Sequence, residues 1–156
     1  MEKWGQTLRD PRKCHQWGRD MTRTFRSIAA DMDSNWVPES DPSSLTQWYL
    51  KIRDLPIEDL ELEDLCRALR QNLFSSELLH IVVKFLSEDV LSGFFDEGEL
   101  LLLLDRLPLE CFSRNNKQAA EILLVLEKNI CILAGDCQIL QTSKSLISKL
   151  KAVVLG

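Results

Sequence analysis

An all-α fold, a compact bundle or short stack of six to seven amphipathic helices, is predicted by three observations. Apolar residues recur at helical spacing along almost all of the 156-residue chain. There is no Asn-Gly or Asp-Gly hairpin signal and no sustained alternation of apolar and polar residues. Capping and breaking residues, among them Pro56, Pro108, Gly135 and Asp136, fall between the apolar stripes rather than inside them.

The stripes read in order as follows. Trp17, Met21, Phe25, Ile28 and Met32 share one face of a first helix, with Asp20, Arg19, Arg23 and Arg26 largely off it, ending near Asp33-Ser34-Asn35. Asp41-Pro42 supplies an N-cap followed by proline at the first helical position, where its missing N–H costs nothing. The helix that follows carries Leu45, Trp48, Tyr49 and Ile52, and Pro56 ends it. Leu62, Leu65, Cys66, Leu69 and Leu73 form the next buried face, with Glu61, Glu63 and Asp64 in the first turn, where the helix dipole favours carboxylates. From Ser75, a plausible cap, to Asp89 the pattern repeats in Leu79, Val82, Val83 and Leu86, before Gly93 breaks it.

Asp96-Glu97-Gly98-Glu99 reads as a capping box, in which Asp96 accepts from the N3 amide and Glu99 reaches back. Leu100 to Leu104 cannot all share one side of a helix, so this run lies deep in the core or presents leucine to a partner. Pro108 closes it. A long helix from about Ser113 carries Ile122, Leu123, Leu126, Ile130 and Leu133, with Gly135 at its C′ position. Asp136 caps the last helix, whose inward residues are Ile139, Leu140, Leu146, Ile147, Leu150, Val153 and Val154.

Composition narrows the function. Hydrophobic residues make up 45% and charged residues 28%, the balance of a folded domain rather than a disordered chain. The 5 Cys, at 14, 66, 111, 131 and 137, contain no Cys-x-x-Cys pair, so neither a disulfide framework nor a metal site is expected, and reduced thiols suit the cytoplasm. The amino terminus lacks the apolar core of a signal peptide, and no apolar run approaches the roughly 20 residues of a membrane span.

Chemistry has few candidates. His80 sits within an apolar helix, where a core or boundary histidine is expected, and Cys14-His15 are neighbours that a helix points apart. No phosphate-cradling glycine loop, His-Glu-x-x-His or Gly-x-Ser-x-Gly occurs. The carboxylates at Asp96 and Glu99 are already explained by capping, so the chain is expected to be no enzyme and to carry no cofactor. Trp4 and Trp17 among Arg9, Arg12, Lys13, Arg19, Arg23 and Arg26 bring RNA to mind, but residues 1–36 hold 7 basic and 5 acidic groups, a net of only +2. Residues 37–110 hold 6 basic and 16 acidic groups, a net of -10, and residues 111–156 hold 6 and 3, a net of +3. An acidic middle repels nucleic acid and membrane surfaces and attracts basic proteins.

Trp48-Tyr49-Leu50, then Leu62-Glu63-Asp64-Leu65-Cys66-Arg67-Ala68-Leu69-Arg70-Gln71, then Phe95-Asp96-Glu97-Gly98-Glu99-Leu100-Leu101, resemble the helical immunity proteins of bacterial contact-dependent growth inhibition systems. The Asp64 to Gln71 run carries most of the resemblance, which covers roughly residues 45–130; in the second motif Glu97 is interposed between Asp96 and Gly98. The chain is accordingly read as one helical domain, 1–156, with an N-terminal helical extension at 1–40 and a family-like core at 41–156.

The resemblance implies a cytoplasmic, stoichiometric inhibitor of the C-terminal domain of a toxin delivered by a neighbouring cell. Such toxins are often nucleases, RNase or DNase, with basic active sites, in agreement with the acidic middle. The candidate toxin-binding residues are Glu58, Asp59, Glu61, Asp64, Asp96, Glu97 and Glu99. A helical adaptor or regulatory module in another cytoplasmic complex is the alternative.

Overall fold

The computed structural model of the protein describes residues 23–34 and 36–156. Every regular element among the described residues is helical: nine α-helices and one 3-10 turn, with no strand. They are α1 (Phe25–Asp31), α2 (Ser44–Ile52), the 3-10 turn (Ile57–Asp59), α3 (Leu62–Arg70), α4 (Ser75–Glu88), α5 (Glu99–Asp105), α6 (Leu109–Ser113), α7 (Asn116–Lys128), α8 (Ile130–Leu133) and α9 (Cys137–Leu155). The chain divides into two compact units, one ending at Leu60 and one spanning Glu61–Gly156.

In the first unit, α1 starts later than the Trp17 to Met32 stripe suggests. Thr24 has extended backbone and its hydroxyl accepts from the Ser27 amide, while the Ser27 hydroxyl accepts from the Thr24 amide. This reciprocal cap satisfies two donors of the first turn and fixes the helix start at Phe25. Phe25 and Ile28 are buried as expected and Met32 is exposed; Trp17 and Met21 lie outside the described residues, as do Trp4, the arginines before Arg23 and the Cys14-His15 pair.

Asp41 does not cap α2. Ser43 does, accepting from the Thr46 amide at 3.2 Å, while the Glu39 carboxylate takes the Ser43 amide and the Thr46 hydroxyl, both at 3.0 Å. Those bonds hold Glu39 below the usual carboxylate range, the Ser43 amide contributing most. Trp48, Ile52, Ile57 and Leu60 complete the apolar interior of this unit. Tyr49 stacks on Phe25 and meets Trp36 edge-on, with ring centres 6.1 and 5.4 Å apart.

The second unit is organised about α9, which packs against α5, α6, α7 and α8. Leu146 and Leu150 are fully buried along it, and buried Ser143 donates to the Ile139 carbonyl at 2.7 Å, so the interior carries no unmet hydroxyl there. Asp136 caps the helix as its position predicts, accepting from Gln138 and Ile139. Leu100, Leu101, Leu103 and Leu104 are all buried and Leu102 is part-exposed, which places the leucine run in the core, with one side outward.

Three local expectations change. The long helix from Ser113 is two pieces, α7 and α8, with α6 ending at Ser113 ahead of them; at the break the Asn129 side-chain amide donates to the Val125 carbonyl at 2.8 Å, alongside the Asn129 backbone amide at 3.2 Å. Ile130 therefore leaves the buried stripe and is exposed. Ser75 lies inside α4 rather than capping it; the cap position is Phe74, in left-handed backbone, and the Ser75 hydroxyl donates to Asn72 Oδ1. His80, expected in the core or at its boundary, is exposed. Cys66 and Cys111 are buried free thiols, Cys131 and Cys137 exposed ones.

Candidate functional site

The seven acidic candidates fall in both units. Glu58 and Asp59 are exposed in the 3-10 turn of the first. In the second, Glu61 is exposed at the cap position of α3 without capping it through its side chain, and Asp64 is half-buried in the first turn. Asp96, Glu97 and Glu99 belong to the connection from α4 into α5, the most elaborated loop of the unit.

This loop is built by local backbone bonding. The Ser92 hydroxyl donates to the Asp89 and Phe85 carbonyls, and the Leu91 amide donates to Asp89 Oδ1. The Gly98 amide donates to the Leu91 carbonyl at 2.8 Å and the Leu100 amide to the Ser92 carbonyl at 3.1 Å, which brings the two ends of the loop together. Glycine is required at both ends. At Gly93 an added Cβ would fall 1.9 Å from the Asp96 carbonyl oxygen, and Gly98 adopts φ +79° beneath Ile139 of α9, 3.0 Å from where a Cβ would sit.

Asp96-Glu97-Gly98-Glu99 is not a capping box. Gly98 occupies the cap position of α5, and no side chain caps that helix. Glu99 does reach back, but to different donors: Oε1 accepts from the Phe94 and Phe95 amides at 2.8 and 2.9 Å, and Oε2 accepts from Arg70 Nη2 of α3 at 2.9 Å. With its side chain only 11% exposed, Glu99 is committed to the chain itself. Burial pushes its carboxyl up, but the Phe95 amide, Arg70 and the Phe94 amide outweigh burial and leave it below the ordinary range. The same carboxylate charge adds to burial in pushing the neighbouring Cys66 thiol up to about 11, so that thiol stays protonated and unreactive.

Above the Glu99 anchor stand Phe94 and Phe95, 46% and 68% exposed. Their rings meet edge to face, 4.9 Å between centres, and the Arg70 guanidinium lies 5.2 Å from the Phe95 ring centre. Asp96 and Glu97 follow, both exposed. Sequence reading singled out the two carboxylates but not Phe94 or the Arg70–Glu99 pair. The available signal was an aromatic pair between two glycines, outside any helical stripe.

Among the described residues no group of His, Cys, Asp and Glu is arranged to hold a metal ion, and no helix is long and apolar enough to cross a membrane. The site offers carboxylates, aromatic rings and a fixed backbone. These are means of holding another macromolecule. Comparison with curated proteins finds no match. The family model of the CDI immunity proteins, however, matches residues 31–122, more than half of the chain and the whole stretch from α2 through the Phe94–Glu99 loop to α6; the chain belongs to this family, whose members are non-catalytic toxin inhibitors.

Proposed function

We propose that this immunity protein acts in the cytoplasm against a nuclease, an RNase or DNase, binding the toxin's basic C-terminal domain one to one without itself contacting nucleic acid or membrane. The observation that carries the nuclease reading is the charge of residues 37–110, net -10, with Glu58, Asp59, Glu61, Asp96 and Glu97 all exposed within it. A nuclease binds phosphates with Lys and Arg. Carboxylates on an inhibitor pair with the same side chains through charge-assisted hydrogen bonds, and a field of one sign speeds encounter with the opposite one.

The test uses the toxin domain encoded by the gene adjoining this chain's own. Co-expression of the chain restores growth of cells making that domain. In vitro, the domain degrades RNA or DNA, and one equivalent of the chain stops it. A toxin domain without nuclease activity would overturn the nuclease reading, and growth that is not restored would overturn neutralisation.

A further inference from the structure

We propose that the Phe94–Phe95 pair is the aromatic anchor through which the chain seats in a notch of the basic toxin domain, with Asp96 and Glu97 meeting cations at the rim of that notch. The proposal rests on the function proposed above and names its surface.

Two neighbouring phenylalanines at 46% and 68% exposure forgo much of the stabilisation that burial of their rings would bring. Exposed loop tips are ordinarily polar and mobile. This one presents two rings, on backbone that is braced. Both Phe amides are bound by Glu99, Arg70 lies over the Phe95 ring, the loop ends are joined by the Gly98–Leu91 and Leu100–Ser92 bonds, and Gly93 leaves no space for slack. Rings held in place before contact lose little freedom on binding, and binding energy concentrates in aromatic side chains of this kind, set in preorganised backbone and surrounded by polar groups.

Charge selects the occupant. Arg70 and Glu99 neutralise each other, which leaves Asp96 and Glu97 as the outward charges beside the rings, while exposed Asp89 stands at the far end of the loop and accepts from the Leu91 amide. Leu124, Ile132 and Leu155 are also strongly exposed, at 64%, 53% and 77%, but they lie in residues 111–156, where the net charge is +3 and a basic partner is disfavoured. The exposed Met32 and Trp36 lie in residues 1–36, net +2, and Val37 and Leu109, 74% and 50% exposed within the acidic stretch, bring one aliphatic side chain each rather than a pair of rings. The Phe94–Glu97 loop joins exposed aromatic area to negative charge within four residues.

The experiment measures binding of the adjacent gene's toxin domain by titration calorimetry, with circular dichroism and melting on each variant. Phe94→Ala combined with Phe95→Ala is expected to stay folded and to bind at least about thirty-fold more weakly, mainly through faster dissociation. In parallel, p-benzoylphenylalanine in place of Phe95 is expected to cross-link to the toxin domain on irradiation, a readout that decides the matter should the double variant unfold. A folded double variant that binds within about three-fold of the parent overturns the anchor and leaves the proposed function standing. Failure of the unmodified chain to bind the domain overturns both.

Discussion

Arg70 Nη2 lies 2.9 Å from Glu99 Oε2 while Glu99 Oε1 takes the Phe94 and Phe95 amides, so a single carboxylate ties α3 to the loop that leads into α5. Glu99→Gln keeps the size of the side chain and removes its charge. It leaves part-buried Arg70 without its ion and weakens the hold on two amides, an expected loss of about 1–3 kcal/mol in urea unfolding. Because the folded pKa is depressed below 4.5, the unfolded chain takes up the proton more readily than the folded one. The contribution is therefore complete above the unfolded value and is lost as the pH falls through the folded one. Between pH 7 and about 3 the difference in stability between the parent and Glu99→Gln should shrink. A difference constant over that range would mean the charge of Glu99 does not hold the loop.

The two glycines of the loop are expected to respond unequally to alanine. At Gly98 the cost is the left-handed backbone plus a close approach to Ile139 Cγ1 and Cδ1 at 3.0 and 3.1 Å, relieved by a shift of a few tenths of an ångström, for about 1–2 kcal/mol. At Gly93 the new Cβ meets the Asp96 carbonyl at 1.9 Å and the Glu99 Cβ at 2.7 Å, and neither can move without opening the loop. Gly93→Ala should cost more than about 3 kcal/mol and weaken toxin binding beyond what its melting temperature explains. Denaturant midpoints of the two variants compared side by side give the order.

Some helix starts were legible and others were not, even where the capping partner is close in sequence: Ser43 rather than Asp41 caps α2, and Thr24 opens α1 through its bonds with Ser27. Asp136 caps α9 through amides two and three residues on, and the apolar stripes of α3, α4 and α7 turn inward as their spacing requires. Glu99 looked like half of a capping box because its true partner, Arg70, is 29 residues away. The break at Asn129 falls in a helix whose apolar rhythm continues through it, since rhythm records the face of a residue and not the bond that the Asn129 side chain turns back onto the Val125 carbonyl. In the candidate site the exposed acids were visible as charge, whereas the aromatic pair became meaningful only once its exposure and bracing were known.

The thiols provide an independent check on the second unit. Cys66 is fully buried with its thiol raised to about 11, and burial also raises the Cys111 thiol. Cys131 and Cys137 are exposed. In a Cys14→Ser background, a disulfide reagent at pH 8 should modify two thiols rapidly in the native protein and the other two only on unfolding, since attack requires both the thiolate and access to it. Rapid modification of Cys66 would contradict its place beneath the Phe94–Phe95 loop. Glu99→Gln should increase the rate at Cys66 by loosening that cover.

Charge reversal in each unit separately tells which of the exposed acids meets the basic toxin domain proposed above. Glu58→Lys with Asp59→Lys alters the 3-10 turn of the first unit, and Asp96→Lys with Glu97→Lys alters the loop of the second. Exposed substitutions usually change stability by no more than about 0.5 kcal/mol each, so both variants should remain folded by circular dichroism and melting. If the whole acidic stretch acts only as a distant field, the two reversals shift net charge equally and slow association alike, and both effects fade as salt shortens the Debye length from about 10 Å at 0.1 M. If Asp96 and Glu97 border the anchored rings, their reversal does something more. It sets like charge against a cation inside the contact, which accelerates dissociation, and that effect persists at about 0.5 M salt, where long-range steering is largely gone. Stopped-flow association and dissociation rates at low and high salt separate the two cases. Equal salt-sensitive slowing by both variants, with unchanged dissociation, would leave the acids a steering role and deny the loop its place in the interface.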